Sequence, residues 1–138
     1  MDKKIKDLQV VVDRIKKDEG VAYGILADIK VLNDIRKKVT GKLAFPEEFY
    51  ALTHQINGIR NDSAELYAFY AKGKSGYFTD IVKANKKNRY LEKVFLGETE
   101  FDYLVYLPAK STYELHDRVS GAPVAIFSKL TDVLVYLF

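Results

Sequence analysis

The 138-residue sequence has no cysteine, no tryptophan and only two histidines. Without thiols there is no disulfide scaffold, no cysteine nucleophile and no Cys-ligated zinc. No uncharged run approaches the roughly 18 residues that a membrane span needs. The charged opening Met1-Asp2-Lys3-Lys4 is not followed by the apolar segment of a secretory signal. A soluble, cytoplasmic protein with no membrane partner is therefore expected. Neither His54 nor His116 has a second histidine or carboxylate cluster at metal-ligand spacing, and neither has the neighbours of a general base. Ser63, Ser75, Ser111, Ser120 and Ser128 lie in no Gly-x-Ser-x-Gly elbow. Gly73-Lys74-Ser75-Gly76 resembles the end of a phosphate loop but lacks the upstream glycine, so it reads as a surface turn. No catalytic residue, cofactor or metal site is assigned, and the expectation is a protein that is not an enzyme.

What the sequence does contain is apolar and aromatic area. Hydrophobic residues make up 48% and aromatics 13%, with ten tyrosines and eight phenylalanines. That is enough to build a core and too much for a disordered chain. The length is that of one domain, and no internal repeat or low-complexity linker divides it. The net charge of +3 is unevenly spread, with residues 1–42 at +4 and residues 43–138 at −1. Within the latter, Lys83, Lys86, Lys87, Arg89 and Lys93 form a basic segment, 83–93, with Tyr90 interleaved. Glu98, Glu100, Asp102, Glu114 and Asp117 form an acidic group opposed by Lys110 and Arg118.

Periodicity places helices first. Ile5, Leu8, Val12 and Ile15 recur at helical spacing up to Gly20, and Ile29, Leu32, Ile35 and Val39 do so up to Gly41. Val21 to Ala27 reads either as a loop or as the start of the second helix. Pro46 suits a first helical position and Glu47-Glu48 suit the positive end of the dipole. Phe49, Leu52 and Ile56 share a face, and Asn57-Gly58 marks the end. Strand patterns follow over 65–70, 94–97, 101–107, 112–118 and 123–127, with a short helix or irregular segment over 79–88. In 101–107, Phe101, Tyr103, Val105 and Leu107 share one face and Asp102, Leu104 and Tyr106 the other. Tyr103 and Tyr113 read as core residues, and Tyr50, Tyr77 and Tyr106 as partly exposed. Ser128 suits the N-cap of a closing helix built on Leu130, Val133, Leu134 and Leu137. Helices, then a run of strands, then a helix predict an α+β fold. Its mostly antiparallel sheet is flanked by N-terminal helices and a C-terminal helix.

One set of motifs, in this order, resembles a known family. Phe45-Pro46-Glu47-Glu48-Phe49-Tyr50 is followed by Asn57-Gly58, then Leu66-Tyr67, Asn85, Val94-Phe95-Leu96-Gly97, Phe101-Asp102-Tyr103 and Pro123-Val124. The series resembles the SUKH superfamily, which groups bacterial immunity proteins with fungal cell-wall-synthesis regulators. Phe45 stands where leucine is usual, Ala68 where glycine is common, and the frequent tryptophan is absent. The resemblance spans about residues 28–137 and implies a single SUKH-like domain over 1–138. It also implies no catalytic residues, and an immunity protein that binds and neutralises a co-encoded toxin of the nuclease or deaminase type.

Two binding surfaces are open at this level. Against the basic face expected of a nucleic-acid-handling toxin, Glu98, Glu100, Asp102, Glu114 and Asp117 are the candidate partner-binding residues. The alternative is a nucleic-acid-associated regulatory domain using the basic segment 83–93. Its local excess of positive charge is small, so nucleic acid is the less expected partner.

Overall fold

Leu8, Val11, Val12 and Ile15 are buried along one stripe of α1 (Lys3–Lys17), while Ile5, near its start, is partly exposed. This helix begins a computed structural model that describes residues 3–26, 28–39, 42–70, 78–86 and 92–138. After it come β1 (Ala22–Tyr23), α2 (Ile29–Val39), α3 (Glu47–Thr53), β2 (Ile59–Arg60) and β3 (Ala64–Leu66). The chain continues through α4 (Ile81–Ala84), β4 (Val94–Thr99), β5 (Asp102–Leu107), β6 (Thr112–Asp117), β7 (Pro123–Phe127) and α5 (Leu130–Leu137). The strands form one antiparallel sheet in simple sequence order, β1 to β7. The fold is α+β, as the sequence predicts. Among the described residues, no helix is long and apolar enough to cross a membrane.

The first three strands differ most from the expectation. The stretch left open as loop or helix forms a two-residue edge strand, β1, because Ala22 and Tyr23 pair with Arg60 and Ile59. The expected strand over 65–70 is paired only as Ala64–Leu66. Beyond Leu66 the chain leaves the ladder, Ala68 bridges in parallel to Asp80, and the Phe69 backbone is held by a side chain. Pro46 precedes α3 with an extended backbone (ψ 149°), so it occupies the cap position and not the first turn. The surface turn expected at Gly73-Lys74-Ser75-Gly76 lies outside the described residues.

All buried apolar residues of the helices belong to one cluster with Val94, Leu96, Leu104, Tyr113 and Leu115 of the sheet. The helices therefore cover one face. Beneath α3, Phe45, Phe49, Tyr50 and Phe69 form an aromatic group, with Phe45 and Phe69 edge-to-face at 5.3 Å and Tyr50 stacked on Phe69 at 5.9 Å. Tyr50, expected to be partly exposed, is buried there, with the Arg36 guanidinium 4.3 Å above its ring. On β5 the core side is Leu104 and Tyr106, so Tyr103 lies on the far face instead of in the core.

Three side chains tie this arrangement together through backbone groups. Asn57 donates from Nδ2 to the Phe69 carbonyl and accepts the Phe69 N–H at Oδ1, both at 2.8 Å. Asn85 makes the same pair of bonds with Phe95, also at 2.8 Å, on the half of β4 that β3 is too short to reach. Each amide thus replaces one missing strand neighbour. The third is Glu48 of α3, whose Oε2 accepts the Leu130 N–H at 3.2 Å. Ser128 is therefore not the cap of α5: the residue before that helix is Lys129, which makes no side-chain cap, and the acceptor comes from α3. Two of the glycines show why no side chain fits. Gly58 has φ +94°, and a methyl group at Gly97 would strike the Glu65 carbonyl on β3.

Asn85→Ala leaves a buried N–H and C=O of β4 without partners. It is expected to destabilise the fold by about 2–4 kcal/mol, read as a lower urea midpoint with an unchanged slope.

Candidate functional site

The face of the sheet that the helices do not cover is built from the alternate residues of β4 to β7. Register sets Phe95, Val105, Glu114 and Ile126 in one rank across four strands, and Glu98, Tyr103 and His116 in the next. Val105 is fully buried, although it is not part of the helix-covered core. Beside it in these ranks, the Phe95 ring meets Tyr103 edge-on at 5.3 Å.

Charged side chains close one end of this face. The Arg118 guanidinium lies 4.7 Å from the centre of the Tyr103 ring, donates to Glu98 Oε2 at 2.6 Å and reaches the Thr99 carbonyl. Glu98 Oε1 accepts the Tyr67 hydroxyl at 3.2 Å. Burial and the Glu98 carboxylate push the Tyr67 phenol well above its ordinary range, so it stays a donor. Opposite Glu98 across β3 and β4 stands Glu65, which accepts Arg60 Nε at 2.7 Å and the Thr79 N–H at 3.0 Å. Arg60, Asp62, Glu65, Glu98, Glu100 and Arg118 contribute to an open cleft of about 350 Å³. Four carboxylates against two guanidiniums leave this end of the face negative.

Along β6, Thr112 Oγ1 donates to Glu114 Oε2 at 2.8 Å and His116 Nε2 meets Glu114 Oε1 at 2.9 Å. Burial raises the Glu114 carboxyl, but these bonds, with the charges of His116 and Lys110, outweigh it and hold the group below the ordinary carboxylate range. An ionised Glu114 makes His116 Nε2 the donor. The other ring nitrogen, Nδ1, is buried without a hydrogen-bond partner. A buried polar atom left unpaired costs about 1–3 kcal/mol, a cost that the fold carries at His116.

The five acidic candidates do not form one surface. Glu98 is held by Arg118, and Asp117 spends its carboxylate on the N–H groups of Val119 and Ser120 in its own turn. Those turn bonds pull the Asp117 carboxyl below its usual range. Asp102 stands directly opposite Asp117 across β5 and β6, and Glu100 is exposed in the turn before it. Glu114 is the correction: it is 3% exposed, enclosed by Val105 and Ile126 in the flanking strands, and cannot belong to an acidic surface. His54, the C-cap residue after α3, is exposed. Of the basic segment, Lys83 and Lys86 are exposed and Lys93 places its ammonium 5.8 Å from the Phe95 ring, while Lys87, Arg89 and Tyr90 lie outside the described residues.

Sequence reading missed the Glu114–His116 pair, although its signal was present. Residues two apart on a strand share a face, and that spacing alone makes the contact possible. Among the described residues, no group of three or more histidine, aspartate or glutamate side chains is placed to hold a metal ion. No family model, curated protein or solved structure matches the chain.

Glu114→Gln is expected to lower stability by about 2 kcal/mol at neutral pH, where the Glu114 carboxylate is ionised and accepts from Thr112 and His116. A folded carboxyl held below its unfolded value stabilises above the unfolded value and loses that contribution as pH falls through the folded one. The difference between wild type and variant in denaturant melts is thus expected to shrink below about pH 4.

Proposed function

We propose that the chain is a non-enzymatic protein-binding module, an immunity protein that neutralises a co-encoded toxin by direct contact. The observation that carries this reading is the open face of β4 to β7. It joins exposed Val124 and Ile126 to partly buried Phe95 and Tyr103, with a buried, unpartnered histidine nitrogen among them and a negative cleft at one end. Aromatic and branched apolar side chains ringed by charge are what a protein interface uses. The residues that carry the SUKH resemblance support it from the other side. Asn57, Gly58, Glu48, Asn85 and Gly97 serve the backbone of the fold, while Phe95, Tyr103 and Val124 of the same motifs lie on the open face.

The electrostatics give the partner a sign. A toxin that handles nucleic acid is basic at its working face, and the cleft carboxylates together with Glu100 and Asp102 complement that charge.

Co-expression with the protein encoded beside this chain is expected to rescue growth and to give a complex that survives purification. No rescue and no complex overturns the reading. In that complex, reversing Glu100 and Asp102 to lysine is expected to slow association by about tenfold at low salt while leaving dissociation nearly unchanged. Surface-resonance kinetics measure both rates.

A further inference from the structure

The sheet ends at β7, and that edge is unusually bare. Pro123-Val124-Ala125-Ile126-Phe127 carries no charged side chain, and Val124 and Ile126 are 58% and 63% exposed. Free edges are ordinarily blunted by charge, proline or a bulge. Here Pro123 and the register shift beside Leu115 and His116 affect only the start of the strand. On the other side of the same edge, α5 exposes Val135 and Tyr136, and the Tyr136 ring sits 5.3 Å from Phe127. Apolar surface therefore wraps around one strand edge from both faces. The chain bends at Ser128 and Lys129 before α5 begins, so the free pairing surface is β7 itself.

We propose that β7 is a self-association edge, at which two copies of this chain pair their β7 strands antiparallel about a two-fold axis and join their sheets. The side chains select a second copy and a register. With the axis at Ala125, Val124 of each copy lies opposite Ile126 of the other, so all four exposed branched residues meet on the open face. Such cross-strand pairs are the stabilising unit of a sheet, and the symmetry forms each one twice. Pro123 falls opposite Phe127 of the second copy. Moving the axis to Val124 or to Ile126 sets the other branched residue against Ala122 or Ser128. The open faces of the two copies become one continuous surface, so pairing leaves the proposed toxin-binding face accessible.

Sedimentation velocity on the full chain alone tests this without any toxin. A dimer of 15.8 kDa subunits is expected at micromolar concentration, and Ile126→Lys is expected to sediment as a monomer with an unchanged circular dichroism spectrum. The absence of native cysteine allows the register to be read directly. Under mild oxidation, a mixture of V124C and I126C chains is expected to give about tenfold more cross-linked product than either alone. Identical positions lie diagonally about 7–8 Å apart in this register, beyond disulfide reach. A chain that stays monomeric throughout, or a V124C sample that cross-links to itself as readily as the mixture does, overturns the proposal. So does an I126K variant that remains dimeric.

Discussion

The helices pack on one face of a seven-stranded sheet, and that constraint shapes the rest of the molecule. A sheet covered on one side only must hold its other side together with its own side chains. Here this is done by ranks of neighbours across β4 to β7, with Val105 buried between Phe95 and Glu114, and Tyr103 between Glu98 and His116. The covered side has the opposite problem, since short strands leave backbone groups without partners. Asn57, Asn85 and Glu48 meet that need, each from a position distant in sequence from the group it satisfies.

The open face gains its character from this arrangement. An ionised carboxylate sits among branched apolar residues because Thr112 and His116 saturate its two oxygens. The same geometry strands the second nitrogen of His116. At the negative end, each arginine is held by a glutamate, and the excess carboxylates remain for a partner. Charge, aromatic area and one unmet hydrogen bond thus lie together on the side of the sheet without helices.

Much of the architecture was legible in the residues. Helical spacing located α1, α2 and α5, the Pro-Glu-Glu start located α3, and β7 matched its pattern from Pro123 to Phe127. The errors have specific physical sources. Both sides of β5 are apolar, so alternation could not tell Leu104, which faces the helices, from Tyr103, which does not. β1 and β2 are two residues each and have too little pattern to read. Ser128 lost the cap of α5 to Glu48, a contact created only when α3 and α5 come together. The acidic candidates were grouped by sequence proximity, but strand register separates them. It pairs Glu98 with Tyr103 beside Arg118, and closes Val105 and Ile126 around Glu114.

The face of β4 to β7 without helices is proposed as the working surface. Hydroxyl-radical footprinting of the chain, free and bound to the protein encoded beside it, tests this most directly. In the free chain, Phe95, Tyr103, Val124 and Ile126 should be labelled, and Tyr113 should not. On binding, protection should fall on Phe95 and Tyr103 while the exposed Val10 of α1 and Ile29 of α2 stay labelled. Protection confined to α1 and α2, with Phe95 and Tyr103 unchanged, would contradict the account.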